Sequence, residues 1–474
     1  MQNSGFSWKT VFSRQSIGYA FTLVWTTLVF SAQGFLAPTG ETTLNRLICF
    51  FASLIAFILC LILVPLILKH LSRAPRALFT AIPLTLITVG TASIIGSSLI
   101  PPAWEPFFLI PLLIFGAVLT GLGSGLLNLA WGCAFTIFSS VKTLCATSAT
   151  FLFAGVLCFS TVNMPTPFII ILMFVCPAVS VAILRRINIP APIPVQTRNK
   201  ISSYALKVFI SALTFGFIIG CMQQLLDSHY PQKVIETGML RLFSGTIIFL
   251  VAFFCDRRLS RFNTNTLYRA GVALISISIV LTCLSHDLIT FTLFFIFLGE
   301  CFFKVFIWTS LATLSIEEGV SPLYTFGCGW GLHHAGILGG HLGMLLLGLV
   351  IPLASFSNQI PIYAVLTLVV ILAGVFGLND IMRKEYDPAT LRQQRALRLE
   401  QISTALSAEH GLSQRESEIL LLLMSNMSAK QIQQKLVVSA GTVNTHVAHI
   451  YQKLKVHTRK ELLQLEQKIR WIMD

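Results

Sequence analysis

The sequence predicts an all-α protein in two parts, a polytopic bundle of twelve membrane-spanning helices followed by a small C-terminal domain of four helices. Two observations carry that expectation. The 474 residues have a mean hydropathy of +0.78 with only 11% charged side chains, where soluble domains carry about 25%. The 55% of apolar residues also fall into runs of about 20, the length a helix needs to cross hydrocarbon. No single water-soluble core absorbs apolar sequence arranged this way, so most of it must face lipid or the interior of a bundle. Beyond Arg383 the pattern changes to polar sequence with amphipathic helical spacing.

Taken in order, apolar runs between charged or Pro/Gly-rich breaks lie near 17–37, 46–68, 78–100, 107–128, 142–161, 167–185, 204–226, 239–255, 267–285, 288–312, 323–351 and 360–381. The fourth has a soft end and runs on toward Phe138. The first, Ile17–Ala37, is too long for a signal-peptide core and lacks a small-x-small cleavage site, so it is expected to be a retained helix. The longest polar interruption, Arg186–Ser203, divides the set six and six, and its prolines favour an extended linker. The domain expectation is therefore a transmembrane domain over 1–382 with halves 1–186 and 204–382 around a linker 187–203, a helical linker over 383–410, and a C-terminal domain over 411–474.

Charge placement sets an orientation. The net charge of +14 is concentrated in loops and tail. One alternating set of loops holds Lys9 and Arg14, Lys69, Arg73 and Arg76, Lys142, the Arg185–Lys200 linker, Arg257, Arg258 and Arg261, and Arg383 and Lys384. The other set is poor in bases and includes a balanced Asp227–Arg241 loop. Basic loops stay inside, which places both termini in the cytoplasm of a multi-pass cell-membrane protein. Glu317 and Glu318 dissent, but acidic residues carry little topological weight. All 11 cysteines lie between Cys49 and Cys328 with no CxxC pair, and read as small core residues; the tail has none, as a reducing compartment favours.

The 6+6 arrangement with a central cytoplasmic linker resembles the major facilitator superfamily. DRRLSR at 256–261 is similar to that family's D-R-x-G-R loop motif, with Ser260 in place of glycine, while the corresponding KHLSRAPR lacks the aspartate. The resemblance implies a bundle that gates between two states, and the worn motif favours a sensor over a pump.

Several polar residues fall within the spans and are the candidate ligand-binding set. Glu300 and Lys304 stand one turn apart, and a structural ion pair and a ligand or proton site are equally open for them. GCGWGLHHAGILGGHLG carries Trp330, His333, His334 and His341 among glycines that permit close helix approach, with His334 and His341 stacked on one face. Packing is the first expectation for these histidines and a polar cavity lining the second. No metal site is expected, because no carboxylate or thiolate stands at ligand spacing. Gln33 and Asn128 are weaker candidates that single polar residues usually spend on bonding a neighbouring helix.

In the tail, 383–410 carries an imperfect apolar stripe of Leu391, Leu399, Ile402 and Leu406, compatible with a spacer, a dimer seam or a solvated helix. Ser413 with Glu416, Ser428 with Gln431, and Thr458 with Glu461 are capping-box pairs, and Ser439 can cap a further helix. The helices expected are about 413–425, 428–436, 439–454 and 458–470. The short step from Leu436 to Ser439 is the turn of a helix-turn-helix.

LSxRExEIL, SAKQI, VSAGTVNTHVAHIYQKL and VHTRKEL together are similar to the LuxR/NarL-type helix-turn-helix almost from end to end. The resemblance implies double-stranded DNA as partner and 439–454 as the recognition helix. With Val443, Val447, Ile450 and Leu454 facing inward, Gly441, Asn444, Thr445, Ala448 and Gln452 face outward. By resemblance, Asn444, Thr445 and Ala448 meet base edges, although lysine is common where Asn444 stands. Lys430, Ser439, Thr442, His446, Lys453, Lys455 and Arg459 are candidate phosphate or positioning contacts, with a solvated basic face as the competing reading.

No P-loop, GxSxG, HExxH or glycine-rich nucleotide motif occurs, so neither an enzyme nor a cofactor is expected. The whole reads as a membrane-bound one-component transcription regulator that senses a small-molecule effector or a membrane signal, with a homodimer possible through its tails. The alternatives are a secondary transporter with an appended regulatory tail and a pure membrane tether.

Overall fold

A computed structural model describes residues 7–351 apart from 32–41, 69–75, 102, 162–163, 188–201, 230–233, 259–263, 285–287 and 319, positions 362–363, 365–366 and 369, and residues 399–462 apart from 401, 405, 426, 455 and 460. Among these residues there is no strand. The chain forms two compact units, Met1–Leu378 and Asn379–Asp474.

The first unit holds α1 (Arg14–Ser31), α2 (Thr42–Leu68), α3 (Ala81–Ser97), α4 (Glu105–Phe135), α5 (Ser140–Thr161), α6 (Thr166–Arg185), α7 (Ser203–His229), α8 (Val234–Arg258), α9 (Thr264–Leu284), α10 (Ile289–Glu317) and α11 (Pro322–Val350). Among the described residues, eight helices are long and apolar enough to cross a bilayer, and Ala81–Ser97 and Gly238–Phe254 are shorter apolar helices. The chain is a multi-pass membrane protein. The expected twelfth span, 360–381, lies almost wholly outside the described residues, as does Gln33. One boundary differs from expectation. Asp227, counted above in a loop, is helical because α7 continues to His229, and α8 begins at Val234, ahead of the expected start at 239, so that only a short stretch separates the two helices before Arg241. A bilayer interior offers backbone groups no water, so helices extend through isolated charges rather than break at them.

Within the N-terminal half, α4 packs on α2 and α3, and α1 on α5 and α6. In the C-terminal half, α7 packs on α11 and α10 on α8 and α9. The halves meet where α2 crosses α11 and where α5 crosses α8, with α10 also against α5. Small residues make the tightest of these contacts. A Cβ at Gly216 or Gly220 of α7 would collide with the carbonyls of His333 and Ile337, and one at Gly336 or Gly340 of α11 with those of Leu213 and Phe217. Each pair is spaced four apart, which puts both glycines on one helical face and brings the two backbones into direct contact. The Cys221 thiol also points at the Gly340 carbonyl, 3.7 Å away.

The second unit contains α12 (Gln414–Met424), α13 (Ala429–Leu436) and α14 (Ala440–Leu454). Ile419, Leu420, Leu423, Ile432, Val443, Ile450, Leu454 and Leu462 form its core. Leu399, Ile402 and Leu406 are buried in the same cluster, so this part of the segment preceding the three helices packs as part of the domain. Of the expected fourth helix, Thr458 stands just ahead of it, Arg459, Glu461 and Leu462 are helical, and the remainder lies outside the described residues.

The glycine seam makes a direct prediction. Gly220→Leu or Gly340→Leu should lower the thermal unfolding temperature of the purified chain, with a cost of about 1–3 kcal/mol as for other overpacked contacts. Gly96→Ala, where an added Cβ meets nothing within 4 Å, should be silent in the same melt.

Candidate nucleic-acid interface and intramembrane polar cluster

The helix-turn-helix is built by its caps. Ser413 Oγ accepts from the Glu416 amide at 3.3 Å, and Glu416 Oε2 accepts from the Ser413 amide at 2.7 Å. Ser428 and Gln431 repeat that reciprocal pair at the start of α13. Ser439 Oγ accepts from the Thr442 amide at 3.1 Å, starting α14 as expected. At the last expected box, Thr458 Oγ1 accepts from the Glu461 amide, but the Glu461 carboxylate turns to the His457 amide instead.

On α14, Val443, Ile450 and Leu454 are buried and Val447 is half-buried, which turns Gly441, Asn444, Thr445, Ala448 and Gln452 outward. This is the exposed face expected from spacing. Ser439 and Thr442 stand exposed at its start, their hydroxyls 2.8 Å apart, and His446 is half-buried at its edge. Thr445 Oγ1 donates to its own helix at Gly441 O. Lys430 lies in the first turn of α13, and Lys455 is outside the described residues.

Two of the candidate cationic contacts are occupied within the domain. Lys453 Nζ reaches Glu416 Oε2 at 2.7 Å and the Gly411 carbonyl at 3.1 Å. Arg459 donates to the Met427 carbonyl at 2.7 Å and the Leu423 carbonyl at 3.4 Å, closing the end of α12. Arg415, to which the sequence reading gave no role, does the same for α13 through Leu436 O and also pairs with Glu418. These side chains satisfy carbonyls that helix ends leave open. Glu416 sits at the centre, its side chain only 6% exposed. The Lys453 ammonium, then the Ser413 amide, hold its carboxyl down from 4.5 to about 2.

The turn between α13 and α14 carries an unforeseen feature. Val437 has φ 51° and ψ 50° and is 88% exposed. A β-branched residue in the left-handed region is strained, and glycine or asparagine is the usual solution there. A sequence signal existed, since this position follows the last core residue of α13, where a C-terminal glycine or asparagine is normally sought.

In the membrane unit, Lys304 Nζ and Glu300 Oε1 pair at 2.7 Å on α10. His334 and His341 do share a face, packing on Phe57 and Phe50 of α2 at ring separations of 4.6 and 4.9 Å, and each ring nitrogen Nδ1 bonds the carbonyl four residues earlier. His333 is fully buried, stacks on Trp330 at 5.1 Å and places Nδ1 3.3 Å from Ala212 O. Asn128 accepts from the Tyr19 hydroxyl at 3.0 Å, joining α4 to α1 as a single intramembrane amide commonly does. Tyr19 and Trp330 both contact Trp308, so Asn128 and the histidines belong to one connected set of side chains. Among the described residues no group of three or more His, Cys, Asp or Glu could hold a metal ion.

The class that these two units define is a LuxR-type helix-turn-helix carried by a membrane bundle of major-facilitator-like fold. Residues 410–465 match the luxR family of bacterial regulatory proteins. The same stretch is similar to the transcriptional regulator MalT, at 39% identity over 62 residues in Vibrio cholerae and 42% over 62 residues in Yersinia pestis. Those matches cover 13% of this chain and 7% of either relative, so only the terminal domain is shared. The bundle is similar to the human organic anion transporter MFSD10, with a TM-score of 0.57, 12% identity, and coverage of 78% of this chain and 99% of that one. It is similar in the same way to a bacterial ferroportin homologue in an outward-facing state, with a TM-score of 0.56, 13% identity and coverage of 78% and 98%. Both likenesses establish fold alone. Domains of these two kinds are usually non-enzymatic.

Two predictions follow from the terminal domain. Val437→Asn should stabilise it by about 1 kcal/mol, the order of the left-handed penalty removed, seen as slower amide hydrogen exchange in α13 and α14. Glu416 has a depressed pKa in the fold, so its stabilising effect is full above the unfolded value of 4.5 and is lost as pH falls toward about 2. Glu416→Gln should therefore lower stability at neutral pH and flatten the acid limb of the stability profile across that window.

Proposed function

We propose that the chain is a one-component transcription regulator of the cytoplasmic membrane. In this reading the bundle takes up a small-molecule effector or a membrane-borne signal, and the terminal domain binds promoter DNA. The observation that carries it is the exposed Asn444–Thr445–Ala448 face of α14, in a domain matching the luxR family, on the same chain as a multi-pass bundle. The distribution of basic loops supports both termini in the cytoplasm, where that face meets DNA.

Asn444 reads an adenine edge through its amide, Thr445 adds a hydroxyl and Ala448 a methyl contact to thymine. Ser439, Thr442, His446, Lys430 and Lys455 position the helix on phosphates. Lys453 and Arg459 are assigned to holding the fold, because their donors already serve Glu416 and the end of α12. An interface with few cations gains little from counterion release, so tight binding calls for two tails on two half-sites, as in a homodimer. Binding of effector shifts a two-state bundle and changes how the tails are presented. The intramembrane Glu300–Lys304 pair favours retained transport as the second reading.

The test uses the full chain in lipid nanodiscs on its promoter. Asn444→Ala should cost about 1–3 kcal/mol of specific affinity with the salt dependence unchanged, while deleting the bundle should leave DNA binding but abolish any response to a ligand screen. Identical promoter occupancy with and without the bundle, across that screen, argues against a sensor.

A further inference from the structure

The membrane unit contains a cation that the sequence reading weighed only in the charge balance of a loop, at the start of the eighth span. Arg241 stands on α8 with its guanidinium carbon 5.0 Å from the centre of the Phe297 ring on α10. Phe297 precedes Glu300 by three residues, so it lies on the same face one turn away. The Arg241 Nε is buried and has no hydrogen-bond partner. Among the described residues no carboxylate lies within ion-pair distance of Arg241, and Glu300 is engaged by Lys304. With Phe297 one turn from Glu300 on α10, Arg241 stands in the neighbourhood of the Glu300–Lys304 pair.

Among the described side chains the charges do not cancel, since two cations stand near one carboxylate, beside Phe297 and the aromatic residues of α10 and α11. Arg241 is half-buried with its Nε enclosed and unbonded, and an incoming carboxylate would satisfy that donor and add the missing negative charge. The site is not sealed, since the Lys304 and Glu300 side chains retain 23% and 12% exposure. Beside it, the His333 Nδ1–H is directed at the Ala212 carbonyl, which leaves Nε2 as an acceptor that is buried without a partner. An acceptor so placed fits a ligand hydroxyl or N–H.

We propose that the α8–α10–α11 region is a binding site for an organic monocarboxylate, with Arg241 as its principal anion contact, Lys304 as the second cation and Phe297 as an apolar platform. This deepens the sensor reading by naming the chemical class of its effector. Glu300 then has a defined part, holding Lys304 and competing with the ligand for it.

The experiment uses the full chain in nanodiscs and four monocarboxylates, namely lactate, octanoate, benzoate and 4-hydroxybenzoate, at concentrations up to about 10 mM, the weak end of specific affinities. The methyl ester of 4-hydroxybenzoate and tyramine serve as neutral and cationic counterparts. Saturable binding by at least one carboxylate is expected from tryptophan fluorescence or thermal shift, with the ester and tyramine at least tenfold weaker. Arg241→Met should weaken the carboxylate tenfold or more, Arg241→Lys should retain part of it, and Glu300→Gln should tighten it. Should Arg241→Met fail to fold, the tightening in Glu300→Gln remains decisive. Equal binding of the ester, indifference to both substitutions, or no saturable carboxylate overturns the proposal. Promoter occupancy measured in parallel separates the two readings. A carboxylate that binds without changing occupancy sinks the sensor and leaves the site, whereas a neutral or cationic effector that changes occupancy while no carboxylate binds sinks the site and leaves the sensor.

Discussion

Close backbone approach between α7 and α11 is the constraint on which the polar interior of the bundle rests. In a bilayer, helices gain nothing from burying apolar surface against one another, because lipid is equally apolar; contact must come from van der Waals packing and hydrogen bonds. Gly216 and Gly220 meeting Gly336 and Gly340 supply that contact. The same crossing fixes His333, whose carbonyl is pressed against Gly216 while its ring bonds Ala212 O one turn away on α7. With that rotamer held, the ring stacks on Trp330 and Phe303 rather than on lipid. A seam of residues without side chains thus fixes where the His333 ring of α11 points.

The terminal domain meets a comparable problem with the opposite chemistry. Its helices are short, each leaves carbonyls open at its end, and the core is too small to orient them alone. Arg415 and Arg459 close those ends, while Lys453 ties α14 to the capping box of α12 through Glu416. Two bases that look from their spacing like part of a DNA-facing stripe, Lys453 and Arg459, are therefore engaged inside the domain, and Asn444, Thr445 and Ala448 on the outward face of α14 are uncharged.

This explains what could be read from the chain and what could not. Spans, caps and the inward set of α14 follow from periodicity and from local pairs three residues apart, so they were legible at Ser413, Ser428, Ser439, Val443 and Ile450. The roles of Lys453 and Arg459 were not, because their partners lie 37 and 32 residues away and charge alone does not reveal a partner. Arg241 was legible as lying at the start of the eighth span, 239–255, but its place over Phe297 was not, since that ring lies 56 residues away on another helix. The glycines of α11 were legible as a packing face, and Gly216 and Gly220 carry the same four-residue spacing on α7, but spacing alone does not say which two helices meet. Val437 shows the converse, a position whose usual residue type is known and whose actual residue departs from it.

The segment leading into the terminal domain bears on how any signal would reach it. Leu399, Ile402 and Leu406 are buried among Ile419, Leu423 and Ile450, and Ser403 Oγ donates to the Ser417 carbonyl at 3.3 Å. A flexible tether would absorb displacement at its near end, since a disordered chain transmits little force. Here the residues just ahead of α12 belong to the core on which α14 also rests. A pull or twist entering at residue 399 therefore acts on the packing beneath α14, without an intervening flexible joint among the residues described. In the proposed regulator, such continuity lets a change of state be expressed as a change in the stability or presentation of α14, and it requires no contact between effector and DNA-binding face.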